Sequence, residues 1–479
     1  MNIDKRDLTL LCDFYELTMA RGYFNSEMKD KIAYFDVFFR KVPDGGGYAI
    51  CAGLEQIIEY IKALNFKKED IDYLRSRGIF DEEFLNYLST FSFTGDIWAV
   101  PEGTVIFPGE PIMTVRANAM EAQFIETFIL LIFNHQCLVA TKASRIVRAA
   151  QGRPVSEFGS RRAHGPDAAI YGARAAYIGG CSSTACVLAD QMFGVPAGGT
   201  MAHAWVQMFD DEYDAFKTYC KLYPKNPTLL VDTYNVTKSG VPNAIKVFKE
   251  VLTDEERKHC AVRLDSGDIT YLTKKVRKML DNAGLTECRI IVSNSLDEYI
   301  IRDILMQGAQ VDGFGVGERM ITSKSEPVFG CVYKLCAVED DGKITPRIKI
   351  SENIAKITNP DFKKLYRFYS KDTGKAEADL ITVYDEVIDP SQPYELFDPE
   401  HVWKKKIMEN YELREMLVPI FVNGKLVYES PSVQEIKENC KKELDSMWDE
   451  VLRFENPHNY YVDLSQKLWD EKHELLKKR

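Results

Sequence analysis

Between residues 155 and 317, short runs of β-forming residues end one after another in polar clusters that lead into helical stretches. The runs are Val155 to Phe158, Gly199 to His203, Leu229 to Thr233, Ala261 to Asp265, Arg289 to Asn294 and Val311 to Gly317. Strands joined by helices must return in the same direction, so the pattern restricts this segment to a parallel sheet with helical crossovers, either a barrel or an open doubly wound sheet. A barrel brings every strand end to one mouth, and here the polar chemistry recurs at those ends. An irregular α/β (TIM-like) barrel is the expected core. At 479 residues the chain is too long for one ordinary core, so further domains are expected around it.

The flanks read differently. Apolar positions from Thr9 to Tyr23 fit a helix, Phe35 to Phe39 a short strand, and Leu54 to Leu64 and Asp81 to Leu88 two more helices. Trp98 to Val115 is rich in β-formers punctuated by Pro101, Gly103, Pro108, Gly109 and Pro111. A long helical stretch, Met120 to Ala150, stops at Gly152, and its late Lys142, Arg145 and Arg148 suit the negative end of a helix dipole. Beyond about Asp340 the sequence is charged and less periodic, with an Asn-Gly hairpin signal at Val422 to Lys425.

A formal charge of -11 argues against nucleic acid or anionic membrane as partners, because both select basic surfaces. The most apolar internal stretch, Phe124 to Cys137, is interrupted by Glu126, Asn134, His135 and Gln136 and reads as a buried helix rather than a membrane span. Met1 to Tyr15 carries Asp4, Lys5, Arg6 and Asp7 and lacks a signal-like apolar region, so a cytoplasmic location is expected. The eleven cysteines show neither CxxC pairs nor zinc-like spacing with histidine, which suggests free thiols in a reducing compartment.

Four clusters carry candidate chemistry. Phe158-Gly159-Ser160-Arg161-Arg162 sets an aromatic ring beside two forked cationic donors suited to carboxylate or phosphate, although a surface loop with ordinary salt bridges has the same composition. Gly199-Thr200-Met201-Ala202-His203 places an imidazole, nucleophilic when neutral, behind two glycines and a threonine. Arg263-Leu264-Asp265-Ser266-Gly267-Asp268, with Val231-Asp232-Thr233-Tyr234 one unit earlier, offers carboxylates that can hold ribose hydroxyls or hydrated Mg²⁺. Asp265 or Ser266 could equally cap the following helix. Gly313, Gly315 and Gly317, last in the series, suit backbone N–H groups that cradle a phosphate.

Taken in order with Asp13-Phe14-Tyr15-Glu16-Leu17-Thr18-Met19, these blocks resemble the signatures of the nicotinate phosphoribosyltransferase family over roughly the first 340 residues. The resemblance implies an N-terminal α/β domain over 1–118, a phosphoribosyltransferase barrel over 119–345 and a C-terminal α/β extension over 346–479. It implies a homodimer with shared active sites, in which Tyr15 reaches the partner's site and stacks with Phe158 about the pyridine ring. Arg161, Thr200 and Arg263 would contact nicotinate or nearby phosphates, and Ser293, Gly315, Gly317 and Thr322 would cradle the 5-phosphate of phosphoribosyl pyrophosphate. His203 would take phosphate from the co-substrate ATP, while Asp232 and Asp265 attend the ribose, pyrophosphate and Mg²⁺.

Two alternatives remain open at this level. A nicotinamide phosphoribosyltransferase would share nearly every part, but Ser182, Ser183 and Thr184 offer hydroxyls without the carboxylate that an amide would favour. A non-catalytic barrel that binds a phosphorylated metabolite would also keep polar strand ends.

Overall fold

The computed structural model describes residues 6–353 and 356–478, so Asp4 and Lys5 of the opening segment lie outside the described residues. Compactness divides the chain into two units, 1–138 with 328–479, and 139–327. The three-part division expected above runs along the chain, whereas in space its first and last parts join in one seven-stranded sheet.

That sheet is antiparallel, and Ile32–Phe38 within it pairs with Val332–Asp340 on one side and Met113–Asn118 on the other. Its core side chains, among them Val37, Ile97, Val115 and Ile420, are fully buried. The Asn-Gly hairpin forms as its chemistry demands: Val422 pairs with Lys425, and Asn423 (φ 48°) and Gly424 (φ 72°) both adopt the left-handed conformation of a type I′ turn. The first helix runs over Phe14–Phe24, later than its apolar pattern predicts, because a turn precedes it in which Leu11 N donates to Leu8 O at 2.9 Å. Helix Glu82–Ser89 starts where expected, with Asp81 accepting from Phe84 N.

The second unit is built on six parallel strands: β1 (Val155–Glu157), β2 (Ser183–Thr184), β3 (Thr228–Leu230), β4 (Ala261–Leu264), β5 (Arg289–Ser293) and β6 (Gly313–Val316). Their order across the sheet is β2-β1-β6-β5-β4-β3, so the last strand of the series lies against the first. Among the described residues no ladder joins β2 to β3. The protein is mixed α/β with a six-stranded parallel sheet. Five of the expected runs become strands, but Gly199 to His203 does not: residues 199–202 are irregular and His203 opens the helix His203–Gln207. Two adjacent glycines weaken a strand, and the hydroxyl-rich Ser183–Thr184 takes the place beside β1.

The long apolar stretch of 119–149 forms helices Ala119–Phe124 and Glu126–Ala149. By length and composition it is able to cross a membrane, but 72% of its most apolar window is buried inside the protein, as in a core helix. The helix after β4, Ile269–Asn282, is capped by Asp268, whose side chain accepts from Tyr271 N at 2.9 Å. Neither Asp265 nor Ser266 serves as that cap. Both are left to the site.

Candidate active site

Alternation along β4 buries Val262 and Leu264 and turns Arg263, with Asp265 two residues on, toward the other face. Arg263 donates through Nη1 to Thr200 Oγ1 at 2.7 Å and through Nη2 to the carbonyl of Met201 at 3.2 Å. It thereby fixes the irregular segment that leads to His203. Its Nε is buried without a hydrogen-bond partner. Burial lowers its proton affinity, Asp265 and Asp232 oppose that, and Arg161 adds repulsion. A guanidinium stays charged nonetheless, so two cationic forks act on one region and favour an anion there.

Asp265 is the hub of the mouth. One carboxylate oxygen accepts from the Ser293 hydroxyl at the end of β5, and the other lies 4.0 Å from His203 Nε2. Its backbone N–H donates to Asp232 Oδ2 at 3.0 Å, and the Ser266 hydroxyl donates to the same oxygen. Asp232 Oδ1 is buried and unpartnered. On its other edge the His203 ring meets Thr233, with Nδ1 and Oγ1 3.0 Å apart. The ends of β3, β4 and β5 and the segment before His203 thus converge, bringing Thr200, His203, Asp232, Arg263, Asp265 and Ser293 into one network.

Phe158 belongs to the other side of the sheet, where β1 meets β6, and its N–H donates to Val316 O at 2.8 Å. Gly315 lies inside β6 with its open face against that ring: a β-carbon there would stand 2.5 Å from Phe158 Cδ2. Gly317, directly after β6, precedes the short helix Glu318–Ile321, and a β-carbon on it would stand 2.9 Å from the Phe158 carbonyl. Thr322 closes that helix, its hydroxyl donating to Glu318 O at 2.7 Å. Arg161 is exposed in the single 3₁₀ turn Ser160–Arg162. Tyr15 belongs to the first unit, where it is 43% exposed on helix Phe14–Phe24 and therefore open to a neighbour.

The hydroxyl argument against nicotinamide does not survive in the form given above. Ser182 Oγ donates to Val155 O at 3.0 Å, Ser183 Oγ to Ser156 Oγ at 2.9 Å, and Thr184 Oγ1 to Glu157 Oε2 at 2.7 Å. All three hydroxyls are engaged, and a buried carboxylate sits among them. Glu157, which burial pushes above the ordinary carboxylate range, also accepts from Gly159 N and so shapes the turn after Phe158. Reasoning from the sequence also missed Ser266, the ring contact of Thr233, and Asn294 (φ 80°) and Ser295 (φ 54°), two consecutive left-handed residues just past Ser293. Hydroxyl residues that directly follow Asp232 and Asp265 were the available signal. Non-glycine residues in that conformation are strained and gather at functional sites.

Residues 10–134 match the nicotinate phosphoribosyltransferase N-terminal domain, residues 154–385 the nicotinate phosphoribosyltransferase family, and residues 362–472 the family's C-terminal domain. The chain belongs to the nicotinate phosphoribosyltransferase family. It is 43% identical to the nicotinate phosphoribosyltransferase of Bacillus subtilis, over 97% of this chain and 94% of that one. To the enzyme pncB2 of Mycobacterium tuberculosis it is 38% identical over 96% and 92%. The crystal structure of human nicotinic acid phosphoribosyltransferase superposes with a TM-score of 0.84 at 27% identity, covering 98% of this chain and all of that one. These matches extend the likeness read from the first 340 residues into the C-terminal region. Family membership makes the chain a transferase of pyridine nucleotide salvage and disfavours the nicotinamide and non-catalytic alternatives.

Proposed function

We propose that this chain joins nicotinate to phosphoribosyl pyrophosphate, giving nicotinate mononucleotide and pyrophosphate, and that ATP drives the reaction through phosphorylation of His203. The observation that carries this reading is the network in which one carboxylate, Asp265, faces both His203 and Ser293 beside the half-buried Arg263. The pyridine nitrogen attacks C1 of the sugar as pyrophosphate leaves, so positive charge grows on the ribose ring. Asp232 and Asp265 stabilise that charge, Arg161 and Arg263 hold the nicotinate carboxylate beside Phe158, and Ser293, Gly315, Gly317 and Thr322 lie along the 5-phosphate path. The left-handed pair Asn294 and Ser295 extends that path.

Mg²⁺ fits this donor set. Among the described residues no cluster of three or more His, Cys, Asp or Glu side chains is able to enclose a metal. Mg²⁺ usually takes one or two carboxylates and completes its shell with water and substrate phosphates, and the unpartnered Asp232 Oδ1 with Asp265 supplies that pair. Bound there, the ion would supply positive charge to the leaving pyrophosphate. We read the six strands as an irregular barrel whose seam between β2 and β3 is filled by the segment that Arg263 ties down. The assembly is a cytoplasmic homodimer in which Tyr15 completes the partner's pyridine stack.

The test combines the protein with nicotinate, phosphoribosyl pyrophosphate and Mg²⁺, with and without ATP, and with nicotinamide as control. Nicotinate mononucleotide should form, faster with ATP. Labelled ATP should leave an acid-labile, base-stable phosphate on the protein that His203→Ala abolishes and His164→Ala retains. Label lost from His164→Ala but kept in His203→Ala would move the ATP site to the arginine loop.

A further inference from the structure

The His203 ring is held from two sides, and only one of its neighbours belongs to the charge chemistry of the site. Asp265 Oδ2 faces Nε2 at 4.0 Å, and Thr233 Oγ1 faces Nδ1 at 3.0 Å. The Thr233 contact is within hydrogen-bond reach and the Asp265 contact is not, and a hydroxyl accepts as well as it donates, so Nδ1–H donates to Thr233 Oγ1. Nε2 then carries the lone pair. Thr233 follows Asp232 directly at the end of β3, and the side chains of both are half-buried rather than mobile surface groups. His203, by contrast, opens a helix of five residues whose first turn has no side-chain cap. Nothing in so short a helix fixes the ring about its side-chain bonds. The threonine does.

We infer that Thr233 is the positioning residue for His203, holding the imidazole in one orientation and one tautomer so that Nε2 alone presents a lone pair to the γ-phosphate of ATP. The inference rests on the reading of His203 as the phosphate carrier. In the step itself the Nε2 lone pair forms the N–P bond as the bond from γ-phosphorus to the bridging oxygen breaks, and that electron pair leaves on ADP. The proton on Nδ1 stays in place on the Thr233 hydroxyl, which orders the ring before transfer and after it.

Thr233→Val keeps the shape and removes the hydroxyl, and Thr233→Ser keeps the hydroxyl and removes a methyl. Full-length wild type, both variants and His203→Ala are mixed with Mg²⁺ and γ-labelled ATP. The labelling rate is followed, and the phosphohistidine isomers are separated after alkaline hydrolysis. Thr233→Val should label about tenfold more slowly, as expected for one lost orienting hydrogen bond, and should give both ring isomers where wild type gives one. Thr233→Ser should restore the single isomer and most of the rate. A wild-type rate and a single isomer in Thr233→Val, with His203→Ala unlabelled, would overturn the role of Thr233 and leave His203 standing. Equal slowing in both Thr233 variants with one isomer throughout would also overturn it, because that pattern marks packing rather than orientation. Label that persists in His203→Ala would remove the reading beneath it and the inference together.

Discussion

Gly315→Ala is the smallest change that tests whether the Phe158 ring forms a wall of the pyridine pocket. The new β-carbon would stand 2.5 and 2.6 Å from two carbons of the Phe158 ring, whereas its third neighbour, Ser293 Cβ, lies at an ordinary 3.4 Å. Carbon atoms pack best at about 3.5–4.0 Å, so the ring must retreat by roughly 1 Å. Overpacking of this kind costs about 1–3 kcal/mol, and a unit of this size loses about 2–4 °C of melting temperature per kcal/mol, so a fall of about 5 °C is expected. Stacking geometry contributes about 0.5–1.5 kcal/mol beyond area, and with some lost contact the KM for nicotinate should rise about tenfold. The substituted residue keeps its backbone N–H, so the KM for phosphoribosyl pyrophosphate should change by no more than about twofold. Steady-state kinetics on Gly315→Ala, Phe158→Leu and the double variant give the decisive comparison. Because the alanine acts through the ring, adding it to Phe158→Leu should have little further effect on KM or melting temperature. Additive losses, or a rise confined to the KM for phosphoribosyl pyrophosphate, would refute the reasoning and return Gly315 to a direct phosphate role.

Three further outcomes are expected. If Arg161 and Arg263 hold the substrate carboxylate as proposed, nicotinate should be used far more efficiently than nicotinamide; equal kcat/KM values would refute that assignment of the arginines. Mixing Tyr15→Ala with His203→Ala should restore part of the activity through hybrid dimers, and a mixture with proven subunit exchange but no activity would defeat the shared site. Glu16 is fully buried, and burial pushes its carboxyl up to about 7 although Thr127 donates to it twice, so between about pH 4.5 and 7 the native state binds the extra proton and stability falls as pH rises. Glu16→Gln keeps an acceptor for Thr127 and should gain up to about 3 kcal/mol at pH 8, vanishing near pH 5; a thermal shift of the same size at both values would contradict it.

What the sequence made legible was the set of features whose cause is local. The parallel sheet followed from alternation, the Val422–Lys425 hairpin from an Asn-Gly pair that tolerates left-handed backbone, and helix Glu82–Ser89 from Asp81 at its start. The joining of the first and last parts of the chain in one sheet was not legible, because Asp96–Ala99 pairs with Val418–Val422 across some three hundred residues and no local pattern encodes that partner. The false strand at Gly199 to His203 has the same origin. Its backbone is held in place by a distant side chain, Arg263, reaching Thr200 and Met201, and not by any propensity of its own.

The site divides along the same line. Charged and ring-bearing residues stand out in a sequence because few other roles explain an arginine, a carboxylate and a histidine in successive polar clusters. Hydroxyls do not stand out. Thr184 and Thr233 both follow or belong to strand ends, yet Thr184 spends its proton on the buried Glu157 while Thr233 meets the exposed edge of His203. The same residue type fastens the scaffold in one strand and orients the candidate nucleophile in another, and only the partner decides which. That is why a specificity argument built on Ser182 to Thr184 failed: their hydroxyls are tied to the neighbouring strand. A charge acts over several ångströms and is forgiving of position, whereas a hydroxyl acts only within hydrogen-bond reach. In this fold three hydroxyls each meet one of the charged or ring-bearing groups at hydrogen-bond distance: Thr200 on Arg263, Ser293 on Asp265 and Thr233 on His203.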